Sequence, residues 1–71
     1  MDVRQRLGSN VRRLRQDRSL SQEKFALEFG VDRTYVSGIE RGVRNPTITV
    51  VQRLADALEV PIAELFAEGE G

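Results

Sequence analysis

The chain has 71 residues, of which 39% are hydrophobic, and its eleven basic and eleven acidic side chains give a formal net charge of zero. This length allows a single domain with a small core, and such a domain buries roughly 60% of the surface that its open chain exposes. Cysteine and histidine are absent, which excludes a disulfide framework and argues against a zinc or haem site, so we expect no metal and no cofactor.

The first two predicted elements are helices separated by a short turn. Helix one covers about residues 2–17, and its inward stripe consists of Leu7, Val11 and Leu14. Ser21 is a good N-cap for helix two, and Gly30 ends that helix because glycine readily adopts the left-handed conformation of a helix end. The buried face of helix two consists of Phe25, Ala26 and Phe29.

A third helix follows almost at once, with Asp32 as its N-cap and Gly42 marking its end. Val31, Val36 and Ile39 are predicted to face the core. Thr47 caps a fourth helix, and Pro61 suits the first turn of a short fifth helix. The predicted inward residues of these last two helices are Ile48, Val51, Leu54, Ala55, Leu58, Ile62, Leu65 and Phe66.

Helices two and three have the spacing of a helix-turn-helix at about residues 21–41. A small residue at Ala26 allows the two helices to cross closely, and Gly30 supplies the turn. The outward face of helix three carries donors, hydroxyls and small groups, which suits a DNA major groove. These residues are Arg33, Thr34, Ser37, Gly38 and Arg41.

The charges are unevenly distributed along the chain. Residues 1–45 carry ten basic side chains against six acidic ones, whereas residues 46–71 carry one basic side chain against five acidic ones. A basic end can face phosphate while the acidic end is kept away from it. The alternative is that these charges only solvate helix surfaces.

Several short segments together resemble a known family: Leu14-Arg15, Leu20–Glu23, Phe25-Ala26, Gly30-Val31, Tyr35–Ser37, Ile39–Gly42, Asn45–Thr47, Leu54-Ala55, Leu58 and Leu65-Phe66. The chain is similar to the Cro/repressor-like helix-turn-helix family, also called the xenobiotic-response-element family, of bacterial and phage regulators. Residues 33–46 look especially like the controller proteins of restriction-modification systems. The resemblance implies an all-α, five-helix, lambda-repressor-like domain over residues 1–71, whose helices at 47–67 supply core and dimer contacts.

The resemblance also implies roles for residues of helix three. Its N-terminal half enters the major groove, with Arg33, Thr34, Ser37 and Gly38 as candidates for reading bases. An arginine at position 33, where the family often has glutamine, favours contact with a guanine. Gly38 replaces a larger polar residue and permits a close approach to DNA.

Other matching positions are expected to hold phosphates or the fold. The phosphate candidates are Gln22, Tyr35, Arg41, Arg44 and Asn45, although Tyr35 could instead only cover the turn. Gln22 lies at a helix N-terminus, which favours an anion. Arg15 and Glu40 match a structural ion pair of the family. Val60, Ile62, Leu65 and Phe66 are the expected dimer contacts.

The resulting hypothesis is a cytoplasmic transcription regulator, without catalysis, that binds a pseudo-palindromic operator as a homodimer, with DNA and a second copy as its partners. No small-molecule effector and no membrane segment are evident: no apolar run reaches the about 20 residues that cross a bilayer. The alternative is an antitoxin or adaptor of the same fold that acts mainly by binding another protein. An enzyme is a poor third, since the sequence contains no histidine, cysteine or obvious carboxylate pair.

Overall fold

A computed structural model of the chain describes residues 2–68. In this part of the chain there are four α-helices, one 3-10 helix and no strand. The elements in chain order are α1 (Val3–Asp17), α2 (Gln22–Phe29), α3 (Arg33–Glu40), α4 (Ile48–Leu58) and the 3-10 helix (Ile62–Phe66).

Helix ends lie close to the predicted capping residues. Ser21 and Thr47 each accept a hydrogen bond from the backbone N–H three residues later, at 3.0 and 3.3 Å. Asp32 accepts one from the N–H of Thr34 at 2.9 Å. Gly30 has φ 84°, the left-handed conformation expected after α2. These contacts are local in sequence, and the predicted starts of α2, α3 and α4 are therefore confirmed.

The core forms where α1 packs against α3 and the 3-10 helix, α2 against α3, and α4 against the 3-10 helix. Gly8 allows α1 to approach α3, since a Cβ at this position would collide with the backbone carbonyls of Ile39 and Glu40. The buried hydrophobic residues are Leu7, Val11, Leu14, Phe25, Ala26, Phe29, Val36, Ile39, Val51, Leu54, Ala55, Leu58 and Leu65. Val31, which was predicted to be in the core, packs against it but is only half-buried.

The expected fifth α-helix is not observed, because residues 62–66 form a 3-10 helix. Its Glu64 N–H donates to the carbonyl of Pro61 at 2.9 Å, the i to i+3 pattern of the tighter helix. The buried Asn10 amide donates to the carbonyls of Leu65 and Ala67, at 3.0 and 2.8 Å. Asn10 thus ties the C-terminal end of this short segment to α1.

Ile48 was predicted to face inward and does not. Its side chain is 71% exposed, although Val51, one turn later on the same face, is buried. Ile48 lies in the first turn of α4, where it borders a surface depression also lined by Val3, Pro46 and Phe66. The apolar periodicity includes this first turn, but no element within residues 2–68 covers it.

No helix within residues 2–68 combines the length and the apolar character needed to span a membrane.

Candidate nucleic-acid interface

The helix-turn-helix is formed by α2, a tight turn and α3. The N–H groups of Gly30 and Val31 both donate to the carbonyl of Ala26, at 2.8 and 3.0 Å, which closes the turn. Ala26 is 3% exposed, so the small side chain lies at the helix contact as expected. On the next helix, Val36 and Ile39 are each 1% exposed and anchor α3 to the core. The opposite side of α3 therefore faces solvent.

The first turn of α3 presents two of the predicted base-reading side chains. Arg33 and Thr34 are exposed, and Ser37 is half-buried one turn later. The Thr34 hydroxyl donates to Asp32 at 2.9 Å. Hydrogen bonds from the backbone N–H and then the hydroxyl of Thr34 lower the pKa of the Asp32 carboxyl, so this cap stays ionised at neutral pH.

The C-terminal end of α3 is fixed by an ion pair between Arg15 and Glu40. Two guanidinium nitrogens of Arg15 contact the two carboxylate oxygens of Glu40, at 2.6 and 3.0 Å. The third nitrogen donates to the carbonyl of Leu20 at 2.7 Å. The side chains are only 8% and 3% exposed, and the hydrogen bonds that Arg15 donates to Glu40 raise the pKa of Arg15. A bidentate, water-shielded pair of this kind holds α1 and α3 in one geometry.

Gln22 connects Glu40 of this ion pair to the exposed Arg33. Its amide nitrogen donates to Glu40 Oε1 at 3.0 Å, and its amide oxygen accepts from Arg33 Nη1 at 3.2 Å. Both ends of the amide thus have protein partners. The contribution of Gln22 to phosphate binding would therefore come from its backbone N–H, which lies in the first turn of α2, where N–H groups lack partners within the helix.

The predicted exposure of Gly38 is wrong. Gly38 is buried, because the side chain of Arg44 lies across it. The guanidinium of Arg44 stands 5.4 Å from the centre of the half-buried Tyr35 ring, in a cation–π contact. Gly38 thus has no surface to offer to a base edge, and Arg44 occupies its place on α3.

Three arginines of this surface make no ion pair with any carboxylate in residues 2–68. They are Arg33, Arg41 and Arg44, all exposed. Asn45, the remaining phosphate candidate, is exposed in the loop after α3. In contrast, each of the arginines Arg4, Arg6, Arg13 and Arg18 on α1 or just beyond it has a carboxylate within 4 Å. Unneutralised guanidinium groups around α3 provide the positive charge that an anionic polymer needs.

The predicted dimer contacts separate into two groups. Leu65 is completely buried in the protomer core, so the prediction that it contacts a second copy is wrong. Its carbonyl accepts a hydrogen bond from Asn10, which ties this segment to α1. The remaining three residues, Val60, Ile62 and Phe66, are half-buried and keep some surface for a partner.

Two features of the site were missed by sequence reasoning. Asn10 is a polar residue one turn after Leu7 on the apolar side of α1, and that position was a signal that it has a buried partner. The link from Gln22 to Glu40 had no such signal, because the two residues lie 18 positions apart. Within residues 2–68 no group of three or more acidic side chains is placed to hold a metal.

Comparison with known proteins places this geometry in a family. The helix-turn-helix family profile matches residues 11–65. The control protein C.MunI from Mycoplasma is 37% identical over 70 residues, which cover 97% of this chain and 95% of the relative.

Two solved structures share the fold. The restriction-modification controller protein C.AhdI from Aeromonas hydrophila superposes with a TM-score of 0.82 at 43% identity, over 89% of this chain and 96% of its own. The controller protein C.Esp1396I, solved as a tetramer in complex with its natural 35 base-pair operator, superposes with a TM-score of 0.81 at 32% identity, over 93% of this chain and 87% of its own. The chain therefore belongs to the helix-turn-helix family, among relatives that are transcription regulators and restriction-modification controller proteins.

Proposed function

We propose that this protein is a sequence-specific transcription regulator that inserts α3 into the major groove of an operator. The observation that carries the proposal is the contrast between the two sides of α3. Its inner side is fixed by Val36, Ile39 and the Arg15–Glu40 pair. Its outer side presents cationic and hydroxyl groups, and the one aromatic ring there, Tyr35, lies beneath the guanidinium of Arg44. A rigid helix with such a face is suited to reading base edges. We assign no catalytic step to the protein.

Base reading is assigned to Arg33, Thr34 and Ser37. Arg33 has the longest reach of the three, and a guanidinium can donate to both O6 and N7 of a guanine. Its hydrogen bond to Gln22 restricts its conformations before DNA is bound. Thr34 offers its methyl group to a thymine, since its hydroxyl is engaged with Asp32. We leave Gly38 out of this set because it is covered by Arg44.

Phosphate contacts are assigned to residues that border α3. The backbone N–H of Gln22 lies at one edge, and Arg41, Arg44 and Asn45 lie beyond the C-terminal end. Tyr35 supports Arg44 through its ring. These groups would set the position of α3 on the duplex without reading its sequence.

The regulator is proposed to act as a homodimer on a pseudo-palindromic operator, which places two recognition helices about 34 Å apart. The C.Esp1396I structure is a multimer on its operator, which supports an assembly of this kind. The apolar surface for the second copy would come from Val60, Ile62 and Phe66 together with Val3 and Ile48, which are 60% and 71% exposed. Val3, Ile48 and Phe66 border one depression, and a second copy is the occupant that we propose for it.

The relatives support three finer proposals, on fold type, location and the regulated operon. A lambda-repressor-like domain, with a 3-10 segment in the place of the fifth helix, would regulate from the cytoplasm, where bacterial DNA lies. The similarity to C.MunI, C.AhdI and C.Esp1396I favours the control of a restriction-modification operon.

The test is selection from a random pool of double-stranded DNA at near-physiological salt, followed by sequencing of the retained DNA. We expect an inverted repeat whose half-site centres lie about one helical turn apart. Arg33→Ala, selected in parallel, should lose the preference at one symmetric pair of positions. Recovery of no sequence above background would contradict the proposal and favour an antitoxin or adaptor that binds a protein.

A further inference from the structure

We propose that Gly38 is a positioning residue for DNA binding: its missing side chain leaves the space in which Arg44 crosses α3, so that a loop residue provides one of the cations of the recognition surface. This inference rests on the proposed function. It assigns to Gly38 an effect that is transmitted through Arg44, and it gives Gly38 no contact with DNA.

The first support is steric. A Cβ added to Gly38 would lie 2.7 Å from Cγ of Arg44, 3.2 Å from its Nε and 3.4 Å from its Cδ. The first of these distances is shorter than real Cβ contacts allow, so a methyl group and the present course of the Arg44 side chain exclude each other. The three nearest atoms all belong to the Arg44 side chain and none to backbone. Because the closest is Cγ, near the root of the side chain, we expect the whole Arg44 side chain to turn away while α3 keeps its position.

The second support is the backbone of the loop. The N–H groups of Val43 and Arg44 both donate to the carbonyl of Gly38, at 3.0 and 3.3 Å. Gly38 thus holds the backbone of Arg44 through its carbonyl oxygen. The aliphatic part of the Arg44 side chain packs against the Cα of Gly38. Arg44 is held to α3 at two points, although it lies four residues beyond the end of that helix.

The third support is the position of the Arg44 guanidinium against the Tyr35 ring. Its carbon lies 5.4 Å from the centre of the Tyr35 ring, and Tyr35 is one helical turn before Gly38, on the same side of α3. Arg44 is exposed and has no carboxylate within 4 Å in the described part of the chain. Its charge is therefore held in place by an aromatic ring and remains free for an anion. Displacing Arg44 from Gly38 and Tyr35 would remove the contacts that hold this charge over α3.

The test is a double-mutant cycle with Gly38→Ala, Arg44→Ala and the double variant, titrated against the operator selected with the wild type. We expect each single variant to weaken binding about tenfold, the size of one lost guanidinium contact, and the double variant to bind no more weakly than Arg44→Ala. Alanine is a better helix former than glycine, so Gly38→Ala should keep or raise the thermal unfolding midpoint. A merely structural role would lower that midpoint.

A second readout needs no DNA. Tyr35 is the only tyrosine of the chain, so its ring signals in an NMR spectrum report directly on the stacked Arg44. Gly38→Ala should shift these signals in the same direction as Arg44→Ala does, and Arg53→Ala, which removes the corresponding contact with Phe29, should leave them unchanged.

Three results would overturn the inference: wild-type affinity in Gly38→Ala, a roughly hundredfold additive loss in the double variant, or unchanged Tyr35 signals in Gly38→Ala. If the wild type itself bound no selected DNA, the proposed function would fail and this inference with it. If the wild type bound the operator and the losses of the two single variants were additive in the double variant, the inference about Gly38 would fail while the proposed function would stand.

Discussion

At the scale of single residues, the surface of α3 depends on a few polar groups whose partners are close in sequence. Asp32 caps the helix through Thr34, and Arg33 lies between them at the first helical position. The cap fixes where α3 begins, and therefore which side chains lie in its first turn. Removing the charge of Asp32 or Arg33 should therefore have a measurable effect on stability or DNA binding while the fold is kept.

The first prediction concerns the ionisation of Asp32. Its pKa is lowered below the ordinary value of about 3.8 by the hydrogen bonds from Thr34. A carboxyl whose pKa is lower in the folded state stabilises that state above its unfolded pKa and loses this contribution as the pH falls below it. The thermal unfolding midpoint of the wild type should therefore fall, relative to that of Asp32→Asn, as the pH drops from 5 towards 3. A constant difference between the two proteins over this interval would contradict the proposed origin of the shift.

The second prediction concerns Arg33 as a base reader. Arg33→Ala should lose about 1 to 3 kcal/mol of discrimination at one symmetric pair of operator positions, because a bidentate contact with guanine is removed. Binding measured against single-base operator variants checks this. Arg12→Ala, which removes an exposed arginine from α1, is the matched control. A loss that is equal for all sequences would show that Arg33 holds a phosphate instead.

At the scale of elements, α1 and α3 are joined by contacts that hold the recognition helix against the core. Gly8 brings the two backbones close, and Arg15 contacts Glu40 through two hydrogen bonds shielded from water. Buried charges are costly without a partner, so this junction should be sensitive to the loss of either one.

The third prediction is that Glu40→Ala lowers the free energy of unfolding by about 3 to 5 kcal/mol, because Arg15 is left charged and unpaired in a buried position. Urea denaturation followed by circular dichroism measures the loss. Glu40→Gln should lose less, since the amide can still accept a hydrogen bond. Asp17→Ala, which breaks an exposed pair with Arg13, should cost no more than about 0.5 kcal/mol. Equal losses of unfolding free energy in Glu40→Ala and Asp17→Ala would show that the buried pair stabilises the fold no more than the exposed pair does.

At the scale of the whole molecule, the protomer has a core that is complete on one side and an apolar surface that is left open on another. Leu65 belongs to the first, since it is fully buried. Ile48 belongs to the second, at the edge of the depression shared with Val3 and Phe66. Self-association and folding should therefore respond to different substitutions.

The fourth prediction separates these two effects. Ile48→Glu should leave the protomer folded and shift sedimentation from dimer to monomer, because the exposed side chain loses an apolar contact and places a charge in the interface. Leu27→Glu, at an equally apolar and 78% exposed position on α2, should remain dimeric. Leu65→Ala should instead lower the free energy of unfolding by about 2 to 5 kcal/mol, as expected for a truncated core leucine. Dimeric Ile48→Glu would exclude the proposed interface.

Features set by near neighbours could be derived from the sequence alone. The N-caps at Ser21, Asp32 and Thr47 and the left-handed turn at Gly30 depend on residues two to four positions away. The apolar spacing of α1 to α4 likewise determined most of the core. The helix-turn-helix, and the side of α3 that is turned outward, follow from these local rules because helical periodicity decides which residues share a face.

Other features were decided by what lies beside a residue in the folded chain, which helical periodicity does not specify. Gly38 is on the outward side of α3 by periodicity, yet it is buried by Arg44 from the loop. Ile48 is on the inward side of α4, yet no element in the described part of the chain covers it. Leu65 is buried, and its carbonyl accepts a hydrogen bond from Asn10, 55 residues earlier. Helical periodicity determines the direction in which a side chain points. Its burial depends on which other residues pack against it, and only the tertiary structure decides that.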